Sequence, residues 1–270
     1  MRAAVWLPLF DELADPLVVA RLAATAEEAG WDGLFVWDQL WWREPIQAVA
    51  DPWITLAAVA CATERLRIGP MVTPVARRRP VKLLKEAATL DALSQGRLTL
   101  GVGLGSDRFA GEYSRTGEII DDRVRAEQLD ESLAILKAGW SGEPVVHRGQ
   151  HYLVDDVRFL PRPAQGQVPI WVAGFPGNLK PIRRAAQYDG FFPVNLSSAD
   201  ELAAATGRLR EVFGSEALPE GYDVVVALEP GMDARAFEEA GATWGLTDLD
   251  PASMRLSDVQ ALVADGPQWS

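Results

Sequence analysis

Short apolar runs alternate with amphipathic stretches along the whole chain. Within each run the apolar residues are continuous rather than every second one, which is typical of parallel strands buried on both faces. There are eight such runs: Ala3–Leu7, Leu34–Trp37, Leu66–Gly69, Arg97–Val102, Pro169–Ala173, Gly190–Val194, Asp223–Leu228 and Ala242–Leu246. We therefore predict eight buried strands.

The amphipathic stretches have the period of a helix, and the residues that begin several of them support this. Asp15, Asp51 and Asp250 each precede a proline, as an N-cap does when proline takes the first helical position. The predicted helices cover residues 16–29, 52–63, 79–94, 121–138, 178–187, 199–213, 233–240 and 254–264.

Eight strands that alternate strictly with eight helices predict a parallel sheet closed into a (β/α)8 TIM barrel. The barrel would be a single domain over residues 1–270. A doubly wound open sheet is the structural alternative. Within the irregular segment 141–168, residues 145–154 predict a hairpin that turns at Arg148-Gly149. The two histidines flank this turn without a third ligand, so we predict no metal site.

Composition excludes several classes of protein. The net charge of −12 repels phosphate backbones, which argues against nucleic-acid and anionic-membrane partners. No apolar run is long enough to span a membrane, and the first residues do not resemble a signal peptide. The single cysteine, Cys61, is expected to be a small buried apolar residue, and the composition fits a reducing, cytoplasmic environment.

In TIM barrels the active site lies at the carboxyl ends of the strands. The residues at those positions are mostly apolar and aromatic, with no histidine, no Ser/His/Asp set and no pair of carboxylates. They include Asp38, Gln39, Met71, Val72, Thr73, Gly103, Gly105, Ser106, Gly174, Phe175, Gly177 and Asn178. An apolar, aromatic mouth suits a planar cofactor that performs the chemistry while the protein orients it and excludes water.

Two glycine-rich loops are candidates for contact with a phosphate or a ligand. Residues 174–178 lead into a predicted helix, whose free backbone N–H groups attract anions. Residues 101–105 follow a strand, but Ser106 stands where G-x-G-x-x-G requires its last glycine, so close approach to a ligand is the functional interpretation. Tight turns that need positive φ explain both loops equally well.

Two further clusters have more than one interpretation. Residues 77–79 are all arginine, which suits either a clamp for an anion or a solvated turn with one arginine paired to an acid. Trp37, Trp41, Trp42 and Trp53 gather around the second strand end, where they suit a hydrophobic lid, a subunit contact or a stack on a cofactor.

The stretch from Leu90 to Gly105, LDALSQGRLTLGVGLG, resembles the signature LDxLSxGRxxLGVGxG of the bacterial luciferase-like oxidoreductases. Residues 26–38 and 51–74 resemble the first and second units of the same family. The resemblance implies a TIM barrel that binds FMN or the deazaflavin F420, often as a homodimer, and that transfers a hydride or activates oxygen on a small organic substrate.

The resemblance also implies roles for residues. The Met71-Val72 bond would be a non-prolyl cis peptide, with Met71, Val72 and Thr73 behind the flavin ring. Asp38 and Gln39 would lie at the reacting face and are the predicted catalytic residues. Cofactor binding is assigned to both glycine loops: Gly174, Phe175, Gly177 and Asn178 at the phosphate, and Gly103, Gly105 and Ser106 at the tail.

Three departures from the family pattern bear on activity. Gln39 replaces a common histidine and cannot shuttle a proton. Ser106 replaces a glutamate found in some F420-dependent relatives, and the family's long late insertion is shortened. Two other functions therefore stay open: a non-catalytic flavin-binding barrel, and a cofactor-free barrel enzyme, which would need a lysine or a carboxylate pair at the strand ends.

Overall fold

The computed structural model describes residues 1–108, 110–229 and 231–268. Its α-helices are α1 (Pro16–Glu28), α2 (Pro52–Ala62), α3 (Pro80–Leu93), α4 (Asp122–Trp140), α5 (Leu179–Ala185), α6 (Ala199–Phe213), α7 (Ala234–Glu239) and α8 (Leu256–Asp265). Short 3-10 helices cover Asp11–Ala14 and Val75–Arg77. None of the described helices combines the length and apolarity needed to cross a bilayer.

The strands are β1 (Arg2–Leu7), β2 (Gly33–Val36), β3 (Arg67–Pro70), β4 (Thr73–Pro74), β5 (Leu100–Gly103), β6 (Pro144–Arg148), β7 (Leu153–Arg158), β8 (Ile170–Gly174), β9 (Gly190–Pro193), β10 (Asp223–Leu228) and β11 (Trp244–Thr247). Nine of them form one parallel sheet in the order β3-β2-β1-β11-β10-β9-β8-β5-β4, while β6 and β7 form an antiparallel hairpin.

The sheet closes into a barrel because β3 and β4 are two halves of one interrupted strand. The first half bridges Ile68 to Leu98, just before β5, and the second pairs Thr73 with Val102 of β5. Eight strand positions therefore surround one axis. The predicted TIM barrel is confirmed, and the open doubly wound sheet is wrong.

Local sequence signals explain most helix starts. The carboxylates of Asp15 and Asp51 accept hydrogen bonds from the first backbone N–H groups of α1 and α2. The prediction for Asp250 is wrong, because α8 begins later, at Leu256. Asp250 instead stabilises a turn by accepting from the Ala252 backbone N–H and the Ser253 hydroxyl.

Large aromatic side chains fill the lower part of the barrel. Phe35, Trp171 and Trp244 are buried, with ring centroids 5.2 to 5.9 Å apart. Aromatic pairs at this separation pack efficiently and form part of the barrel core. The packing leaves the opposite, carboxyl-terminal end of the barrel as the place for a ligand.

Connections outside the barrel differ in length. The loop between β5 and α4 is long, whereas only residues 229–233 join β10 to α7, in agreement with the shortened late insertion. The predicted hairpin is present, but its turn spans residues 149–152 rather than Arg148-Gly149, because Arg148 still pairs with Leu153. Cys61 is exposed, so the expectation that it is buried is wrong.

Candidate active site

The indole of Trp6 forms a floor across the carboxyl-terminal mouth of the barrel. Its Nε1 donates to the carbonyl oxygen of Met71 at 2.9 Å, and its ring lies 5.3 Å from Trp37 and 5.7 Å from Phe192. These contacts join β1 to the ends of β2, β3 and β9. The Met71-Val72 bond, which is cis as the resemblance implies, lies in the break between β3 and β4, beside this floor.

Three rings rise beside the floor, and we call Phe10, Trp37 and Trp42 the aromatic wall. Their centroids are 5.4 to 5.9 Å apart. The other two tryptophans of the sequence cluster do not join them. Trp53 is buried beneath the Arg78 guanidinium, and Trp41 carries Arg115 over its ring at 4.1 Å. The cluster is therefore divided: Trp37 and Trp42 lie in the wall, and Trp41 and Trp53 each pack against an arginine instead.

Asp38 follows β2 and is held by three side chains. Thr73 Oγ1 donates to Asp38 Oδ2 at 3.0 Å. Arg78 donates to both carboxylate oxygens at 2.9 to 3.2 Å, and Arg77 donates to Oδ1 at 3.1 Å and to the backbone carbonyl at 2.8 Å. A buried carboxylate with this many charge-assisted partners is a fixed anchor of the site.

Arg77 connects Asp38 to a second buried acid, Glu112, which comes from the long loop after β5. Arg77 Nη1 lies 3.1 Å from Glu112 Oε1, and the backbone N–H of Leu40 donates to the same oxygen at 2.5 Å. With its nitrogen facing Glu112, the Gln39 amide donates at 2.7 and 2.9 Å. Neither Arg77 nor Arg78 sits in a solvated turn, because their side chains are only 4% and 20% exposed. Since both are already paired with carboxylates, they are poorly suited to clamp another anion.

At Gly103, the last residue of β5, and at Gly105 a side chain would collide with neighbouring residues of the protein. A Cβ on Gly103 would lie 2.9 Å from Val72 Cγ2. Gly105 has φ +70°, and a Cβ there would lie 2.1 Å from the hydroxyl oxygen of Tyr113. Ser106 Oγ accepts from the Arg108 N–H in the same loop. The tight-turn interpretation accounts for Gly105 without a ligand.

The loop after β8 is more open. A Cβ on Gly174 would meet Pro181 at 2.2 Å, whereas a Cβ on Gly177 would have no heavy atom within 4 Å, and Gly177 has an ordinary φ. Phe175 is 48% exposed, and the Asn178 side chain does not cap α5. This loop therefore leaves backbone uncovered at the mouth.

A carboxylate pair that the sequence pattern did not reveal lies at the ends of β10 and β11. Leu228 is in register with Thr247, so the next residues, Glu229 and Asp248, lie side by side. Val225 and Leu246 face the barrel interior. Because residues two apart along a strand point to the same face, Glu229 and Asp248 are expected to point inward as well. Burial, followed by the nearby Glu229 charge, raises the pKa of Asp248 to about 6.

The alternation of inward and outward residues along the two strands could have revealed this pair. The predicted last strand ends at residue 246, so Asp248 does not directly follow it. The exclusion of a carboxylate pair at the strand ends was therefore wrong. Among the described residues no three His, Cys, Asp or Glu side chains converge in a way that would hold a metal ion.

Residues 13–246 match the model of the family described as luciferase-like monooxygenase. The chain belongs to this family. The resemblance carried by the signature of residues 90–105 is thereby confirmed.

An F420-dependent glucose-6-phosphate dehydrogenase of Beutenbergia cavernae is 31% identical over 90% of this chain and 76% of its own length. A protein of the same name from Nakamurella multipartita is 35% identical over an aligned region that covers 67% of this chain and 52% of that relative. Among solved structures, an F420-dependent secondary alcohol dehydrogenase has a TM-score of 0.73 at 23% identity, over 84% of this chain and 68% of its own. The FMN-bound oxygenating component of 3,6-diketocamphane monooxygenase from Pseudomonas putida has a TM-score of 0.70 at 20% identity, over 84% and 66%. The two structural likenesses concern the fold alone.

Proposed function

We propose that this protein is an F420-dependent oxidoreductase that transfers a hydride between the deazaflavin and a small organic substrate at the barrel mouth, with FMN as the alternative cofactor. The observation that carries the proposal is the interrupted strand at Met71-Val72, held from below by the Trp6 indole. Family membership and the F420-dependent relatives support it.

The residues at the mouth fit a planar cofactor. The interrupted strand lies beside an aromatic floor, which suits a flat ring system. Trp37 Nε1 is buried without a hydrogen-bond partner among the described residues, and such orphaned donors are rare unless water or a ligand completes them. The open backbone at Gly177 suits a phosphate group.

In this proposal Met71, Val72 and Thr73 would support the ring, and residues 174–178 would hold the phosphate. When bound, the cofactor supplies a centre that accepts or donates a hydride. The aromatic wall would exclude water from that centre. Asp38 would act by fixing Thr73 and Arg78 in place, because its oxygens are already occupied by donors.

F420 is preferred over FMN because the named curated relatives at 30 to 36% identity are F420-dependent dehydrogenases. The FMN-bound neighbour shares only the fold at 20% identity. The substrate class of those dehydrogenases is not carried over to this chain.

Titration of the purified protein with F420 and with FMN tests the proposal. We expect saturable binding of F420, and loss of that binding in Gly177→Asp, because a carboxylate would repel the cofactor phosphate. Gly207→Asp is the matched control, since Gly207 in α6 also has open space where a Cβ would lie but is on a helix. Unchanged F420 affinity in Gly177→Asp would refute the phosphate site.

The non-catalytic flavin-binding barrel is the second candidate, favoured by Gln39, which cannot carry a proton. Turnover of any substrate with bound cofactor would exclude it. A homodimer in the cytoplasm stays a prediction, and sedimentation of the purified chain at several concentrations tests the dimer.

A further inference from the structure

Three loops at the mouth meet at the carboxylate of Glu112. We propose that Glu112 is a positioning residue that locks residues 39–44, with the Gln39 amide and Trp42 of the aromatic wall, against the barrel. The consequence for ligand binding rests on the proposed function, whereas the locking itself does not.

Glu112 is 3% exposed and serves partners from two other loops. The backbone N–H of Leu40 and the Gln39 amide come from the loop after β2. Arg77 Nη1 comes from the segment after β4. The Glu112 carboxylate therefore accepts hydrogen bonds from the loop after β2 and forms an ion pair with the segment after β4. Both segments border the proposed cofactor site.

The loop that supplies Glu112 is braced by bonds of its own. Asp107 accepts from the backbone N–H groups of Tyr113 and Ser114 at 2.8 and 3.0 Å. Tyr113 donates from its hydroxyl to the Leu104 carbonyl at 2.8 Å. These bonds fix the residue next to Glu112 on the barrel rim, so Glu112 presents its carboxylate from a rigid base.

The loop after β2 is anchored at both ends. Its near end is fixed at Asp38, which accepts from Arg77 and Arg78, and its far end is held by Asp11, which accepts from two backbone N–H groups. Between these ends the Leu40 side chain is 54% exposed, and the Leu40 backbone is held to the rim through Glu112. Trp42 of the aromatic wall follows Leu40 closely in the chain, so we expect its position to depend on this contact.

The charges explain why an uncharged residue cannot replace Glu112 without effect. Asp38 and Glu112 balance Arg77 and Arg78, so this buried group of four is neutral. Loss of the Glu112 charge leaves one excess positive charge and removes the ionic partner of Arg77 Nη1, whose side chain is 4% exposed. A buried charge without its partner favours rearrangement of residues 39–44, whose backbone is held by the same carboxylate.

Gln39 also changes its role under this arrangement. Because its NH2 group is engaged by Glu112, only its carbonyl oxygen is left for other groups, and that oxygen accepts hydrogen bonds. In the proposed site Gln39 would therefore receive a donor, such as a substrate hydroxyl, rather than donate to a carbonyl.

Hydrogen exchange on the full chain tests the locking directly. In the unmodified protein we expect the Leu40 amide to exchange roughly a hundredfold more slowly than an unstructured amide. In Glu112→Gln, exchange across residues 39–44 should become roughly tenfold faster, while α1 to α3 keep their protection. Glu118→Gln, an exposed glutamate in the same loop, is the control and should leave exchange unchanged.

Ligand measurements then separate positioning from general structural damage. With cofactor and a substrate in hand, we expect Glu112→Gln to raise KM roughly tenfold and to change kcat by less than about threefold. Glu112→Asp, which keeps the charge, should restore part of the exchange protection.

An unprotected Leu40 amide in the unmodified protein would overturn the proposal, even if Glu112→Gln failed to fold. Unchanged exchange in a folded Glu112→Gln would also overturn it. Absence of cofactor binding in every variant, the unmodified protein included, would instead refute the proposed function and leave the exchange result to decide the locking.

Discussion

Replacing Asp248 by asparagine should stabilise the protein at neutral pH and remove part of the dependence of its stability on pH. Asp248 lies at the end of β11, where burial and then the Glu229 charge raise its pKa to about 6. An aspartate in an unfolded chain has a pKa of ~3.9. The folded protein therefore binds a proton more tightly at this residue than the unfolded chain does.

The sign of the effect follows from this difference. Below pH ~4 the carboxyl is protonated in both states and costs nothing. As the pH rises through the interval from about 4 to about 6, the unfolded chain ionises first, so stability falls. Above pH ~6 the full cost is present, at most about 3 kcal/mol from the two pKa values. Because Asp248 is only partly buried, solvent screening reduces this to about 1 to 2 kcal/mol.

Urea unfolding at several pH values between about 4 and about 8 measures this cost. The unmodified protein should lose about 1 to 2 kcal/mol more than Asp248→Asn as the pH rises across that interval. Asp265→Asn, an exposed aspartate at the end of α8, serves as the control and should follow the unmodified protein. Parallel curves for the unmodified protein and Asp248→Asn would show that the carboxyl is not perturbed and would refute the reasoning.

Three further substitutions test two glycines at the mouth and one arginine that fastens α3 to the neighbouring units. Gly105→Ala should lower the free energy of unfolding by about 2 to 4 kcal/mol, because φ is +70° and the new Cβ would lie 2.1 Å from the Tyr113 hydroxyl oxygen. In Gly177→Ala the new Cβ has no heavy atom within 4 Å, so the free energy of unfolding should change by less than about 0.5 kcal/mol. Equal losses of stability in the two variants would contradict the tight-turn explanation of Gly105. Arg97→Lys should cost about 2 to 4 kcal/mol in thermal or denaturant unfolding, since lysine cannot reproduce the planar fork of donors; a neutral result would contradict its structural role.

The barrel was predictable because each strand is buried on both faces and so reads as a continuous apolar run. Helix starts were predictable where an aspartate side chain could reach the first N–H groups, as at Asp15 and Asp51. Asp250 shows the limit of that signal, because an Asp-Pro pair also begins a turn. The interruption between β3 and β4 was anticipated from the family resemblance alone.

The signature of residues 90–105 is specific for a structural reason. Arg97 donates to the carbonyl oxygens of Ala60, Thr63, Leu66 and Ser94 and to the Thr63 hydroxyl. Asp91, which is fully buried, accepts from Gln165. These bonds fasten α3 to the neighbouring units, so the motif identifies the fold more than the chemistry.

The parts of the site that the sequence did not reveal depend on contacts between distant segments. Glu112 lies in an irregular loop and contacts Leu40, which is 72 residues away along the chain. Asp248 acquires its raised pKa from burial and from Glu229 on a neighbouring strand, which no local pattern indicates. Arg77 and Arg78 carry no sign in the sequence that both would converge on Asp38.

The central claim is that the mouth of this barrel holds a redox cofactor and uses it. The most direct measurement is anaerobic reduction of protein-bound F420 by a panel of small organic hydride donors, followed through the visible absorbance of the deazaflavin, with FMN treated in parallel. We predict that bound F420 is reduced by at least one donor, in proportion to the oxidised product formed. Binding of F420 and FMN with no redox change by any donor, and no reoxidation of the reduced forms by any organic acceptor or by oxygen, would contradict the claim.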